Sequence, residues 1–216
     1  MTILALEFSP AQRSVALARD GRVLAEASET GGRETHAFGM IEKVLATANI
    51  DRAQIECLAV GLGPGSYTGI RVALAIAQGW QLATGVKLLG IGSVECLAAQ
   101  ARAEKMFGRV NVVVDAQRGE FYLARFEISA AGVKEVEPLR IVTAAEVASR
   151  ANAGEMLTGP EVSRWFPAGH AFFPGAAMLA NLAAGRADFS AGENLEPVYL
   201  REPNFVKAPP GRVTML

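Results

Sequence analysis

The sequence predicts an α/β protein of two similar lobes, each built from a mixed β-sheet with helices. An apolar run that ends in a carboxylate and turns directly into a second strand occurs twice, at residues 3–7 and 110–115. Each run opens a βββαβα order of strand-like and helix-like segments. With 216 residues, 50% of them hydrophobic, the chain has enough apolar side chains for two such cores. We therefore expect one lobe at residues 1–105 and a second at residues 106–216.

In the first lobe, the hairpin dipeptide Asp20-Gly21 and a Ser-Pro break separate three runs that should form an antiparallel meander. Amphipathic spacing then predicts a first helix, and Ser93 is placed to cap a third helix. The predicted strands are residues 3–7, 14–19, 22–28, 55–62 and 88–91, and the predicted helices are residues 34–48, 67–84 and 94–103.

The second lobe repeats this order. Residues 120–128 alternate between polar and apolar side chains, as a half-buried strand does. The repeat suggests an ancient duplication, although it rests on the order of the elements alone. The predicted strands are residues 110–115, 120–128, 136–141 and 156–158, and the predicted helices are residues 144–151 and 175–184.

Charge and composition exclude several classes of function. The chain has 22 acidic and 21 basic residues, so its net charge gives no global attraction to nucleic acid or to an anionic membrane. It shows neither a secretory signal nor an apolar run long enough to span a membrane, and we expect it in the cytoplasm.

Cys57 and Cys96 lie in apolar runs and should be buried thiols. The two histidines, His36 and His170, form no helix-spaced metal pair, so no metal site is expected.

Two loops are similar to the phosphate loops of the actin, hexokinase and Hsp70 superfamily, in which a strand-end acid organises a metal–nucleotide complex. Both loops are impaired, since Phe8 is bulky and Pro10 lacks an N–H donor. An ordinary polar turn at each strand end is at least as good an interpretation as a working ATP site. The candidate residues of these vestigial nucleotide loops are Glu7, Ser9, Asp115, Arg118 and Gly119.

The most distinctive stretch is a glycine-rich turn, GLGPGSYTGIR, at residues 61–71. Its glycines permit backbone torsions closed to other residues, and Ser66 is a candidate N-cap for the helix that follows. The N–H groups at that helix start could hold an anion, or the turn could merely aim the helix. The segment is not a Walker A loop, because the lysine is absent.

The helix predicted at residues 67–84 is apolar nearly all round and must be covered on more than one side. Gly69, Ala73 and Ala77 form a ridge of small residues at spacing four, flanked by Ile70 and Leu74. We expect this ridge to accept another helix at close range, from residues 34–48, from a second subunit, or from both. The alternative is a helix buried wholly within one chain.

Several stretches of the sequence together resemble the TsaB family, also called YeaZ. They are ILALEFSP, SVAL, GLGPGSYTGIRVALAIAQGWQLA, GIGSVECLA, DAQRGEFY and EPVYLR, which span nearly the full length. The resemblance implies a two-lobed actin-like fold, related to ribonuclease H, and a role in making threonylcarbamoyladenosine on tRNA beside the anticodon. It also implies a non-catalytic subunit that pairs with the transferase TsaD and is joined by the ATPase TsaE.

In that family the partner surface lies on the first lobe. Carried over to this sequence, and together with the ridge, it comprises His36, Phe38, Met40, Gly63, Pro64, Gly65, Ser66, Tyr67, Gly69, Ile70, Arg71, Ala73, Leu74, Ala75 and Ala77. The resemblance further implies no cofactor in the isolated chain, ATP and Mg used by the complex, and tRNA held mainly by other subunits. A homodimer is expected when TsaD is absent.

One departure from the family pattern is Glu7-Phe8-Ser9, where family members usually carry Asp, Thr and Ser. It makes nucleotide binding by the isolated chain less expected. Two rival functions remain open at this point. One is a stand-alone actin-like ATPase or sugar kinase, and the other is a glycoprotease-type peptidase, against which the missing histidine pair argues.

Overall fold

The fold was analysed in a computed structural model that describes residues 1–30 and 36–201. These residues form two five-stranded mixed sheets with helices packed on them. The strands are β1 (Thr2–Glu7), β2 (Gln12–Arg19), β3 (Arg22–Thr30), β4 (Cys57–Gly61), β5 (Lys87–Ile91), β6 (Gly108–Asp115), β7 (Glu120–Ile128), β8 (Val133–Thr143), β9 (Met156–Gly159) and β10 (His170–Ala171). The helices are α1 (Ala37–Ala48), α2 (Tyr67–Thr84), α3 (Ser93–Ala103), α4 (Ala144–Asn152), α5 (Val162–Trp165) and α6 (Ala176–Ala184).

The two sheets have the same topology. The strand orders are β3-β2-β1-β4-β5 and β8-β7-β6-β9-β10. In each, the first strand pairs antiparallel with the second and parallel with the fourth. The predicted duplication of the βββαβα order, and with it the two-lobed fold class, is confirmed. The four-residue helix α5 and the two-residue strand β10 were not predicted, because they are too short to show a period.

Central strands of the first sheet are covered on both faces. Every residue of β1 and of β4 is buried, and this explains why they read as continuous apolar runs. On one face, α1 and α2 contribute side chains to a core with Leu4 and Leu58. On the other face, Leu179 of α6 packs against Ile3.

The last helix of each half packs on the sheet of the other half. Leu97 of α3 lies in a core with Val112 of the second sheet, whereas α6 completes the first lobe. The division of the chain at residue 105 stays a prediction, and this exchange ties the two lobes together.

Two details of the predicted helices change. The described part of the first helix begins at Ala37, and residues 34 and 35 lie outside the described residues. The prediction that Ser93 caps α3 is wrong, because Gly92 is the N-cap and Ser93 is the first helical residue. The Ser93 hydroxyl instead donates to Glu7 Oε2 at 2.9 Å and accepts from the Gly63 N–H at 3.2 Å.

Within residues 1–30 and 36–201, no helix has the length and apolar character needed to cross a membrane.

Candidate functional site

The glycine-rich turn packs directly on the turn between β1 and β2. The Ser66 N–H donates to the Ser9 carbonyl oxygen at 2.7 Å. A Cβ on Gly65, where φ is +154°, would overlap the backbone of Ser9, and one on Gly69 would overlap the Phe8 carbonyl oxygen. Glycine is therefore required at both positions by close backbone approach.

Ser66 is the N-cap of α2, as predicted. Its Oγ accepts from the Gly69 N–H at 3.2 Å, and Gly85 ends the helix in a left-handed conformation. The cap and the close packing together hold the start of α2 against the β1–β2 turn. The interpretation of this stretch as a turn that aims the helix is thus supported.

Glu7, the acid at the end of β1, points into the protein. Its side chain is fully buried, where Oε1 accepts from the Ser9 N–H at 2.9 Å and Oε2 from the Ser93 hydroxyl at 2.9 Å. A Cβ on Gly61 would overlap this carboxyl group. Burial raises the pKa of Glu7, and the hydrogen bonds offset only part of that effect.

A cleft of about 500 Å³ lies between the lobes, and the two predicted nucleotide loops reach it only in part. Ser9 and Asp115 line the cleft. Asp115 Oδ1 accepts from the Gln117 N–H at 2.7 Å, within its own turn. Arg118 and Gly119 are exposed at the tip of that turn, with φ of +59° and +76°, and do not line the cleft.

The first loop does not fit the Mg–nucleotide complex that an actin-like fold implies. Its acid faces the interior, and Pro10 has no N–H to offer a phosphate. The Ser9 carbonyl oxygen is taken by Ser66, and Phe8 is completely buried in the core of the first lobe.

The prediction that the ridge of Gly69, Ala73 and Ala77 accepts a helix of a second subunit is wrong, whereas α1, the other predicted partner, contributes to the same core as Ala73 and Ala77. Ala73 and Ala77 have no exposed surface and lie in the core between α2 and the first sheet. The ridge brings α2 close to its own sheet. A stripe of small residues at spacing four permits close approach to a sheet as well as to a helix, so the pattern could not distinguish the two.

Three further residues predicted at the partner surface, Met40, Ile70 and Leu74, belong to the same core and are at most 6% exposed. Their assignment to a surface patch is corrected accordingly. Gly63 and Pro64 are buried within the glycine-rich turn, whereas Gly65 is exposed and Ser66 is half-buried.

The opposite side of α2 forms an apolar groove with α1, and we call it the α1–α2 groove. Its volume is about 700 Å³. Phe38, 64% exposed, stands on the α1 side. The groove residues are Ala37, Phe38, Ile41, Arg52, Ala53, Val72, Ala75, Ile76, Gly79, Trp80, Ala83 and Thr84. Of these, only Phe38 and Ala75 were among the sequence candidates.

The groove contains a second stripe of small residues, Ala75, Gly79 and Ala83, and all three are exposed. They recur at spacing four, as the buried ridge does, and a Cβ on Gly79 would meet no atom within 4 Å. The sequence contains this second stripe, but it was not predicted to be a partner surface. The prediction used only the ridge of Gly69, Ala73 and Ala77, which lies on the other face of α2.

Polar candidates lie at the start of the two helices. Tyr67 is 58% exposed, accepts a hydrogen bond from the Arg71 guanidinium at 2.6 Å, and stacks on Tyr199 with ring centroids 5.7 Å apart. His36 is exposed, and its Nδ1 lies 3.0 Å from Glu29 Oε1.

Neither cysteine is placed to act as a nucleophile. Cys57 and Cys96 are both buried and free. Burial raises the pKa of Cys57 to about 11 and that of Cys96 well above its ordinary value. Within the described ranges, no group of three or more His, Cys, Asp or Glu side chains could hold a metal ion.

Two lobes of this repeated topology, each with an acid at the end of its first strand and with a cleft between them, define an actin-like α/β protein. The family described as "TsaD: tRNA N6-adenosine threonylcarbamoyltransferase" matches residues 34–191. The tRNA threonylcarbamoyladenosine biosynthesis protein TsaB of Escherichia coli K12 is 29% identical, over 98% of this chain and 100% of its own length.

Solved structures agree with this assignment. YeaZ from Pseudomonas aeruginosa is 27% identical, with a TM-score of 0.79, covering 92% of this chain and 99% of its own. Another structure from Pseudomonas aeruginosa, described as similar to peptidase YeaZ, is 26% identical with a TM-score of 0.78. The match covers 93% of this chain and 99% of that structure's chain. The chain belongs to this family, in its TsaB (YeaZ) branch.

Two glycines of α2 should respond to alanine in opposite ways. Gly69→Ala should lower the free energy of unfolding by about 1–3 kcal/mol, because the new methyl group would overlap the Phe8 backbone. Gly79→Ala is the matched control and should raise it by about 0.5–1 kcal/mol, since its surroundings are open. Urea denaturation measures both, and equal effects would contradict the packing described.

Glu7→Gln should change how stability depends on pH. The pKa of Glu7 is raised above its ordinary value of 4.5, so the stability that its protonated form contributes is lost as pH rises above 4.5. Gln carries no titratable proton, and the variant should lack this loss. Chemical denaturation from about pH 4 to about pH 8 tests it. Parallel profiles for the two proteins would show that the carboxyl is not buried as described.

Proposed function

We propose that the chain is a TsaB-type subunit required for threonylcarbamoyladenosine modification of tRNA, acting in the cytoplasm by pairing with a TsaD-type transferase. The family assignment supports the pathway, because relatives in this branch are named for that biosynthesis. The observation that carries the pairing is the α1–α2 groove.

The groove has the chemistry of a helix-binding surface. Its walls are apolar, with Phe38 exposed on one side and the half-buried Trp80 on the other. Exposed apolar surface of this kind is typical of protein interaction sites. The small stripe of Ala75, Gly79 and Ala83 lets a partner helix come close to the α2 backbone, which is how amphipathic helices dock in grooves.

The same groove serves a second copy of the chain when the transferase is absent. A homodimer then buries the apolar residues that the transferase covers in the complex. A TsaE-type ATPase joins the pair, and tRNA is held through the other subunits, in keeping with the net charge of −1 of this chain.

The chain itself does no catalysis in this proposal. Two features support it. Glu7 is turned inward on Ser9 and Ser93, and both thiols are buried and protonated. ATP and Mg are used by the complex, and the isolated chain needs no cofactor. A stand-alone ATPase or sugar kinase and a peptidase are less well supported, because Glu7, the acid of the first loop, and both thiols are buried.

Ala75→Glu tests the pairing. It places a charge in the middle of the groove at an exposed position, so the chain should still fold. Affinity for the TsaD-type transferase should fall at least ~30-fold, about 2 kcal/mol, because the carboxylate would be buried without a partner. Co-purification and calorimetry measure it. Ala73→Glu would be a poor test, since Ala73 lies in the core and its variant should unfold.

Ala46→Glu is the matched control. Ala46 is an exposed alanine on α1 that does not line the groove, so this variant should bind normally and support tRNA modification. If Ala75→Glu bound as tightly as the unaltered chain, the groove would not be the interface. If the purified chain alone hydrolysed ATP or a peptide at a rate abolished by Glu7→Gln, the non-catalytic role would be wrong.

A further inference from the structure

An unpaired arginine is buried at the cleft between the lobes. Arg13, on β2, is 8% exposed and lines the cleft. Its Nε is sealed from solvent and makes no hydrogen bond. Within residues 1–30 and 36–201, Arg13 makes no ion pair, and Glu29, directly across from it on β3, lies instead 3.0 Å from His36 Nδ1. An uncompensated buried charge is costly, so its presence requires an explanation.

The Arg13 side chain is part of the cleft lining. Nε is the one sealed and unpaired nitrogen of this guanidinium within the described residues, so neither terminal nitrogen is both sealed and unpaired. A guanidinium presents these donors in a planar fork that matches an anion with two oxygens.

The start of α2 adds a second source of positive potential to the same cleft. Ser66 and Tyr67 line the cleft at the N-terminus of this 18-residue helix. The Ser66 and Gly69 N–H groups are taken by Ser9 and by the N-cap hydroxyl. The N–H groups of Tyr67 and Thr68 have no acceptor among the described residues. Free N–H groups and the helix dipole attract anions.

The acids that line the cleft have hydrogen-bond or ion-pair partners other than Arg13. Both Asp115 oxygens accept hydrogen bonds from Gln117, at 2.7 Å from the backbone and 3.4 Å from the side chain. Glu161 lies 3.8 Å from the guanidinium of Arg164. Each acid is thus engaged on its own side, and neither forms an ion pair with Arg13.

We propose that the cleft binds a small oxyanion, a carboxylate or a phosphate group, held by the Arg13 fork and the first turn of α2 without a metal ion. The volume of about 500 Å³ suits a small metabolite. The first loop does not fit a Mg–nucleotide complex, because Glu7 faces the protein interior and Pro10 has no N–H. Since the cleft is lined by both lobes, the anion links them.

The test is calorimetry of the full-length chain in chloride buffer at constant ionic strength, with inorganic phosphate and with malonate as probes. At least one probe should bind with one-to-one stoichiometry, and the stronger of the two identifies the ligand as a phosphate or a carboxylate. Arg13→Gln should weaken that binding at least tenfold. Arg19→Gln is the control on the same strand, because Arg19 donates to Thr2 Oγ1 and does not line the cleft; it should bind normally.

Melting temperatures separate a binding role from a structural one. Without a probe, Arg13→Gln should melt at the same temperature as the unaltered chain or higher, because it removes an unpaired buried charge. The better probe should raise the melting temperature of the unaltered chain and not that of Arg13→Gln.

Four outcomes would overturn the proposal. Neither probe binds; Arg13→Gln binds as well as the unaltered chain; Mg–ATP binds more tightly than both probes, which would make this a nucleotide site; or Arg13→Gln melts at a lower temperature than the unaltered chain without a probe, which would give Arg13 a structural role. None of these results bears on the α1–α2 groove, so failure here is distinct from failure of the proposed function.

Discussion

The structure depends on the close contact between the start of α2 and the turn after β1. The Ser66 N–H reaches the Ser9 carbonyl oxygen, and Gly65 and Gly69 have no side chain because the backbone of that turn occupies the space. This contact fixes where α2 lies on the first sheet. It also closes the loop in which actin-like proteins hold the phosphates of a nucleotide, and Glu7 beneath it is turned onto Ser93.

Because α2 is held so close to its own sheet, its two faces have separate roles. The inner stripe of Gly69, Ala73 and Ala77 is part of the core, and the outer stripe of Ala75, Gly79 and Ala83 lines the α1–α2 groove. One helix therefore supplies stability through one row of small residues, and its other row lines the groove that we propose as a docking surface. The exchange of α3 and α6 ties the two lobes together.

Local patterns in the sequence were sufficient to predict the order of the strands and helices along the chain. The repeated run of strand, acid and turn predicted both meanders, and α2 begins and ends where Ser66 and Gly85 provide caps. What failed depended on contacts between distant parts of the chain. The burial of Glu7 requires Ser93, 86 positions away, and the face that the ridge presents depends on how closely α2 meets the sheet. Arg13 was not predicted as a site residue, because the predicted second strand began at Ser14 and left Arg13 outside it.

The central claim is that the α1–α2 groove holds the transferase. The most direct measurement places a photo-crosslinking amino acid at Phe38, co-expresses the chain with its TsaD-type partner, and identifies the crosslinked protein by mass spectrometry. The control places the same group at Trp165, which is 45% exposed on the second lobe. A crosslink to the transferase from position 38 and none from position 165 is the predicted result. A crosslink from position 165 and none from position 38 would contradict the claim.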